Sequence, residues 1–503
     1  MRKWMMVFLV VVSVFSFGIA AAQDDDNVLV MARAADTTGL DPHTQTAFAS
    51  FRLLELIYEP LVNLDADLNI VPSLAESWEF SDDATTLTLH LRQGVTFHNG
   101  AEFTAEDVVA TFERILDEET AAAARANYLT IASIDTPDDY TVVFNLSEPD
   151  VPLLTALATT NAAIVDSADI ESGDVATVAN GTGPFILENW TPEETTTLSA
   201  NPDWWGEGPF VDGIEIRIIP DETSILAALR AGEIDFALLN DPLVATLLVD
   251  DPSITLDRVP SINYHVLQLR AAEPPLDQLE VRQAISCAID RQEVLDTAAL
   301  GEGQVTGPLT MASFALPTSE LFCYEKDLDR ARELMAQAGL EEGFTLNVIA
   351  ASSEPPTALS EAQNIQAQLA EININVEIEA LELSVYVDRW LAGDFQAAVA
   401  LNGGRTDPYT MYARYWQSTG NLNNVAGYSD ETLDELMAAG RAETDPQARY
   451  DIFAEFQRHL TEQAPWVWLY VGYGYTARQS YVTGFVPSPT SSILGLAAVE
   501  LER

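Results

Sequence analysis

The stretch NLDADLNIVPSLAESWEFSDDATTLTLHLRQGVTFHNGAEFTAEDVVATFERIL, residues 63–116, decides the fold because strand, turn and helix signals follow one another in it. Leucines alternate with threonine and histidine over 86–91, which is typical of a strand with one buried face. An Asn-Gly turn dipeptide follows. Thr104 then predicts a helix N-terminus, because Asp107 stands where it completes a capping box. The apolar stripe after Asp107 predicts that one face of this helix is buried.

The same alternation of strand and helix continues along the chain. VDGIEIRIIPDETSILAALRAGEIDFALL, residues 211–239, reads as a strand, a helix and a second strand. Such units connect parallel strands, so a partly parallel sheet covered by helices is predicted. Two α/β regions result, at 181–262 and 263–476, whereas 58–180 is richer in antiparallel hairpin signals. The predicted fold class is therefore α/β, with two lobes and an inserted subdomain.

The N-terminus is predicted to be a signal peptide over residues 1–22. Arg2 and Lys3 form a basic segment, an apolar run follows over 5–19, and three alanines at 20–22 form a cleavage site. No cysteine lies near that site, so no lipid anchor is predicted there. The mature protein is expected to be periplasmic or secreted.

Composition argues against several function classes. The 78 acidic and 24 basic residues give a formal net charge of −54, which repels nucleic acid and anionic lipid. The five histidines lack the tight spacing of a metal site, and no nucleophile elbow or phosphate-binding loop occurs. Carboxylate pairs are too common here to indicate a glycosidase. The sequence therefore predicts no metal, no cofactor and no enzymatic activity.

Two cysteines, Cys287 and Cys323, occur in the chain. An exported protein folds in an oxidising compartment, so we predict a disulfide between them. Two separate buried thiols are the alternative.

Several further stretches, taken in order, carry a family resemblance. They are LDPHTQT and ELIYEPLV (40–62), NGTGPFILENW and NPDWWGEGPFVDGIEIRII (180–219), LEVRQAISCAIDRQEVL (279–295), DLDRARELMAQAG (327–339), WLAGDFQAAVALNGGRTDPYTM (390–411) and NNVAGYSDETLDELM (423–437). Together with residues 71–116 they resemble the family 5 solute-binding proteins of ABC transporters, the peptide, nickel and opine group.

The resemblance implies a two-lobed, type II periplasmic-binding-protein-like fold with an extra inserted subdomain in lobe 1. The implied divisions are a lobe 1 core at 23–57, 181–262 and 477–503, an inserted subdomain at 58–180, and lobe 2 at 263–476. The chain is then expected to cross between the lobes near 260–270 and 472–485.

The resemblance also implies a function, the binding component of an ABC importer. A monomer would hold a small organic solute between its lobes and deliver it to the membrane permease by hinge closure. The positions matching the family's ligand contacts are Asp36, Thr37, Thr38, Leu401, Asn402, Gly403, Gly404, Arg405, Asn423, Asn424, Tyr473 and Tyr475. Trp390 is added as one of several aromatic residues near predicted loops that suit a cleft wall.

One departure from the family concerns the ligand. Peptide-binding relatives place an aspartate where Gly404 stands, to hold the peptide's ammonium group, and here Arg405 is its neighbour. Arg405 would attract a carboxylate or another anion. No histidine occurs between His265 and His459, so nickel is not expected. Peptide is the default, with an oligosaccharide or opine as the alternative; a secreted enzyme and a receptor feeding a sensor are the rival functions.

Overall fold

The structure is a computed structural model that describes residues 27–352, 355 and 357–503. The predicted signal peptide at 1–22 lies outside the described residues. Within the described part of the chain, every helix is too short or too polar to cross a membrane.

Strands and helices alternate as the sequence predicts. The strands are β1 (Val28–Arg33), β2 (Val62–Leu64), β3 (Ile70–Pro72), β4 (Ala75–Phe80), β5 (Thr86–Leu91), β6 (Ile131–Asp138), β7 (Thr141–Leu146), β8 (Phe185–Thr191), β9 (Thr195–Ala200), β10 (Gly213–Ile218), β11 (Phe236–Leu239), β12 (Ile254–Leu269), β13 (Gly303–Val305), β14 (Phe344–Ala351), β15 (Ile374–Leu381), β16 (Ala397–Asn402), β17 (Trp466–Gln479), β18 (Val482–Thr483) and β19 (Glu500–Leu501). The α-helices are α1 (Phe48–Leu54), α2 (Ala105–Leu116), α3 (Pro152–Ala156), α4 (Ser167–Ser172), α5 (Glu222–Ala231), α6 (Pro242–Thr246), α7 (Leu279–Ala288), α8 (Arg291–Ala298), α9 (Leu328–Gln337), α10 (Ala358–Leu369), α11 (Leu383–Ala392), α12 (Pro408–Trp416), α13 (Asn423–Ala426), α14 (Glu431–Ala442) and α15 (Pro446–Gln463).

The two lobes share one mixed sheet. Its order is β15-β14-β16-β12-β17-β11-β1-β10-β9-β8, with β13 also paired to β17. Strands β10, β1 and β11 are parallel in lobe 1, and β15, β14 and β16 are parallel in lobe 2. The predicted unit of β10, α5 and β11 is confirmed. Strand β1 lies between its two strands, a placement that the sequence did not reveal.

Two long antiparallel strands, β12 and β17, connect the lobes. They pair from Ile254 opposite Gln479 to Gln268 opposite Trp466, with a register shift between Pro260 and Tyr264. Strand β12 also pairs with β16, and β17 also pairs with β11, so these two strands join the two parallel parts of the sheet. A second register shift lies between His265 and Val266, and each shift interrupts the ladder of hydrogen bonds and bends the strand locally.

The opening stretch folds as predicted. Strand β5 lies in a four-stranded antiparallel sheet of order β4-β5-β7-β6. Helix α2 begins after Thr104, and the capping box with Asp107 is present. Val108, Phe112 and Ile115 on the inner face of α2 are fully buried in the core of this subdomain.

Cys287 and Cys323 are joined in a disulfide, with their Cα atoms 4.8 Å apart. Cys287 lies in α7, inside the hydrophobic core of lobe 2, and Cys323 lies in the loop that precedes α9. The bond closes a loop across 36 positions of sequence.

We expect the double substitution of Cys287 and Cys323 by serine to lower the free energy of unfolding by about 2–4 kcal/mol, because the unfolded chain regains the freedom of that loop. Urea unfolding of both forms measures the difference. Reduction of the wild type should produce a similar loss. An unreduced mass that shows two free thiols would contradict the disulfide.

Candidate functional site

A cavity of about 370 Å³ lies where the two lobes meet. Lobe 1 contributes Phe48 and Arg52 of α1, Leu238, Leu239, Asn240 and Pro242, and the segment 487–492. The connecting strands contribute Val259, residues 261–263, His265, Tyr470 and residues 472–476. Lobe 2 contributes Ala299, Glu302, Pro355, Thr357, Leu401, Gly404 and Arg405. The carboxyl ends of β11, β14 and β16 lead into this cavity. A ligand at such an edge meets backbone groups that the sheet has not used.

The structure brings five predicted site residues to this cavity: Leu401, Gly404, Arg405, Tyr473 and Tyr475. Strand β16 ends at Asn402, and the chain then turns before α12, which positions Gly404 and Arg405 at the mouth. The Gly404 amide donates to Asn263 Oδ1 at 3.0 Å. Any Cβ at Gly404 would overlap the carbonyl oxygen of Ile262. Packing against β12 therefore demands glycine there.

The segment 36–38 does not line the cavity, because its polar groups are used within lobe 1. Asp36 Oδ1 accepts from Arg33 at 3.2 Å, and Asp36 Oδ2 accepts from Trp190 Nε1 at 3.0 Å and from the Glu193 amide at 2.8 Å. Burial raises the pKa of Asp36, but these hydrogen bonds outweigh it and hold the pKa below its usual range. The Thr38 amide donates to Ser50 Oγ of α1 at 2.9 Å, so this segment ties α1 and β8 together.

The remaining predicted residues also lie outside the cavity lining. Trp390 Nε1 donates to Gln268 Oε1 at 2.6 Å, and Asn402 Nδ2 donates to the Tyr264 hydroxyl at 3.2 Å. The Gly403 carbonyl accepts from Arg414 at 2.9 Å. Asn423 Nδ2 donates to the Tyr415 carbonyl at 3.0 Å, and Asn424 Nδ2 donates to the Ala392 carbonyl at 3.1 Å. These contacts hold the elements around the site, and direct ligand contact by these residues stays a prediction.

His265 lines the cavity floor, and sequence reasoning did not select it. Its Nδ1 lies 2.9 Å from Glu361 Oε1, and its ring stacks on Tyr470 with centroids 4.2 Å apart. The Tyr470 hydroxyl donates to Glu361 Oε1 at 2.6 Å. Burial raises the pKa of Glu361, but His265 and these hydrogen bonds overcome it and leave that pKa lowered. An ionised carboxylate thus orients the imidazole beneath the cavity.

Two arginines bring positive charge to opposite walls. Arg52 donates from Nε to the Ser491 carbonyl at 3.1 Å, and burial lowers its pKa. Arg405 donates from Nη1 to the Gly404 carbonyl at 3.0 Å; burial, and then the nearby charge of Arg414, lower its pKa. Both remain cations, since arginine titrates far above neutral pH. Among the described residues, no carboxylate forms an ion pair with Arg405.

Glu302 supplies a negative charge to the same cavity. Its Oε2 accepts from the Tyr475 hydroxyl at 3.1 Å, and its Oε1 lies 3.5 Å from Arg258 Nη2. Burial, followed by the charge of Glu302, raises the pKa of Tyr475. Glu302 lies in the loop before β13, where nothing in the sequence pattern singles it out among 78 acidic residues.

The cavity is thus more basic than the protein around it. Arg52, His265 and Arg405 line it with Glu302, although the formal net charge of the chain is −54. No three His, Cys, Asp or Glu side chains of the described residues come together as metal ligands. The arrangement suits an organic anion held by guanidinium groups.

The sequence matches one family model and several curated proteins. Residues 69–423 match bacterial extracellular solute-binding proteins, family 5 Middle. The glutathione-binding protein GsiB of Salmonella typhi is 29% identical, over 96% of each chain. A dipeptide-binding protein of Pseudomonas aeruginosa is 29% identical, over 98% of this chain and 97% of that one.

Solved structures show the same fold. HbpA2 from Haemophilus parasuis superimposes with a TM-score of 0.87 at 26% identity, over 95% of this chain and 100% of that one. DppA from Helicobacter pylori in complex with the peptide STSA gives 0.74 at 29% identity, over 95% and 98%. AgaA from A. tumefaciens R10 in complex with agropinic acid gives 0.74 at 28% identity, over 95% and 99%.

Proposed function

This chain belongs to family 5 of the bacterial extracellular solute-binding proteins, and we propose that it binds a short anionic peptide for an ABC importer. Members of this family are binding proteins of transport systems. The observation that carries the proposed solute is the excess of basic side chains in the cavity, with Arg52 on one wall and Arg405 on the other. Peptide carboxylates would pair with these guanidiniums.

The named relatives support a peptide. GsiB is a glutathione-binding protein, and a second relative is a dipeptide-binding protein. An oligosaccharide has no charge to pair with Arg52 or Arg405, so it is disfavoured by the same lining. An opine is an organic anion, as in the AgaA complex, and it is separated from a peptide by the experiment below.

Capture by hinge closure accounts for the placement of the cavity. Strands β12 and β17 join the lobes, and the register shift near Pro260 lies beside the cavity. A ligand that contacts both walls binds the closed form more tightly than the open form. The difference in binding free energy between the two forms sets how far the equilibrium shifts towards closure. The monomeric closed form would then dock on the permease in the periplasm, with both lobes presented to it.

A thermal-shift screen tests the class of solute. The probes are glutathione and trialanine, with maltotriose and octopine as the competing classes. A bound probe at 100 times its dissociation constant should raise the free energy of unfolding by about 2.7 kcal/mol. Stabilisation by maltotriose or octopine alone would contradict the peptide proposal, and chemical change of a bound probe would indicate an enzyme.

We expect Arg405→Ala to weaken binding of glutathione at least about tenfold, which is about 1.4 kcal/mol, because a ligand carboxylate loses its cation. Calorimetric titration measures the change. Arg389→Ala is the matched control, since Arg389 pairs with Glu379 on the outer face of lobe 2. Equal affinity of wild type and the Arg405 variant would remove Arg405 from the site.

A further inference from the structure

We propose that Glu302 holds the ammonium group of the bound peptide and Arg405 its terminal carboxylate. The peptide then crosses the cavity floor from β13 towards β16. This inference rests on the proposed function and adds the direction in which the peptide is bound. It also assigns a role to Glu302 that its place in the sequence does not suggest.

Glu302 is the one carboxylate among the described residues that line the cavity. A carboxylate offers about four lone-pair positions, and the Tyr475 hydroxyl and Arg258 occupy two of them. An ammonium group would fill the remainder. A buried ammonium without a carboxylate partner is costly, so a peptide's N-terminus is drawn to this side chain.

Glu302 and Arg405 lie near opposite ends of one row across the sheet. Gly404 packs beside Ile262 of β12, and Gly303 pairs with Gly472 of β17. The row therefore runs β16, β12, β17 and β13, which is three steps between neighbouring strands. At roughly 4.8 Å a step, the backbones at its ends are about 14 Å apart.

That separation matches a short peptide. An extended chain spans about 3.3–3.6 Å per residue, so three or four residues extend over about 10–14 Å. Gly472, in the middle of the row, leaves open space above the floor, because a Cβ built there has no atom within 4 Å. The peptide backbone can lie over this glycine.

The packing at Gly404 explains why the ammonium group is bound elsewhere. Any Cβ at position 404 would overlap the Ile262 carbonyl, so a side chain that could hold the ammonium group does not fit there. Arg405 stands next to it instead, unpaired with any carboxylate in the described part of the chain. The charges at the two ends of the row therefore favour a peptide whose carboxylate lies at the β16 end.

Two other basic side chains line the cavity. Arg52 lies on the lobe 1 wall, where it is tied to the Ser491 carbonyl. His265 lies on the floor and is tied to Glu361. Arg405 stands at the end of the row opposite Glu302, so the terminal carboxylate is assigned to Arg405, and Arg52 is left for a side-chain carboxylate.

Trialanine with free or blocked ends tests the direction. For the wild type, calorimetry should show that N-acetyl-trialanine and trialanine amide each bind at least about tenfold more weakly than trialanine. In Glu302→Gln, acetylation should change the affinity less than about twofold while amidation keeps its full effect. In Arg405→Gln, amidation should change the affinity less than about twofold while acetylation keeps its full effect. Circular dichroism checks that each variant is folded.

The outcomes separate the two proposals. If wild-type protein binds trialanine and Glu302→Gln keeps the full acetylation effect, the direction is overturned and the peptide function stands. If Glu302→Gln does not fold, the Arg405→Gln variant tests the direction of the bound peptide. If amidation of trialanine still weakens its binding to that variant by the full factor, the proposed direction is overturned. If the wild type binds neither glutathione nor any trialanine probe, the peptide function fails and this inference fails with it.

Discussion

Gly472→Leu should abolish peptide binding, with a loss of affinity of at least about 100-fold, while the protein stays folded. Gly472 lies in β17 on the cavity floor, and a Cβ there meets no atom within 4 Å. The leucine side chain would extend into the space of the ligand from a Cβ that clears the protein. A loss of 100-fold is about 2.7 kcal/mol. Calorimetric titration with glutathione and trialanine measures it.

Stability serves as the internal control for this prediction. Glycine weakens a strand, so leucine at position 472 should leave the free energy of unfolding unchanged or raise it. Gly472→Ala should give a smaller loss of affinity, because its side chain fills less of the cavity. Gly404→Ala is the contrasting change, since its Cβ overlaps the Ile262 carbonyl and should destabilise the fold. Wild-type affinity in Gly472→Leu would place the ligand elsewhere.

Asp407→Ala should lower the free energy of unfolding by about 3–5 kcal/mol, because it leaves a buried cation without its partner. Asp407 is 1% exposed, and its Oδ2 lies 2.7 Å from Arg449 Nη2. Asp407 also caps α12 by accepting from the amides of Tyr409 and Thr410. Urea unfolding followed by circular dichroism measures the loss.

The chain offers a matched control for that change. Asp445 precedes a proline and caps α15 as Asp407 caps α12, but it is exposed and forms no ion pair among the described residues. Asp445→Ala should cost about 1 kcal/mol, the value of a cap alone. Adding Arg449→Met to Asp407→Ala should recover part of the loss, since the uncompensated charge is removed. Equal losses for both aspartates would show that the ion pair contributes nothing.

Local signals in the sequence predicted most elements of the fold. The strand at 86–91, the capping box at Thr104 and the unit of β10, α5 and β11 are present as predicted. Each depends on residues close together in sequence, where side-chain periodicity and capping act. Strand β1 was missed, because its place between β10 and β11 is set by pairing with residues far away in the chain.

The candidate site was predicted less completely. Leu401, Gly404, Arg405 and the two tyrosines of β17 line the cavity, because they lie at a strand end and on a connecting strand. The segment 36–38 was predicted because it matches the positions of the family's ligand contacts, yet its hydrogen bonds are made inside lobe 1. Arg52, His265 and Glu302 were not selected, since each belongs to a common residue type with no motif around it.

The sequence by itself determined the family, the alternation of strands and helices, and the absence of a carboxylate at Gly404. Short-range patterns of residues and the order of several motifs along the chain indicate those properties. The tertiary structure alone decided which charges share the cavity. Glu302 and Arg405 are about 100 positions apart, and they meet across one cavity because β12 and β17 bring distant strands into a single sheet. Long-range pairing, which no local pattern encodes, therefore brings together the charged side chains that line the cavity.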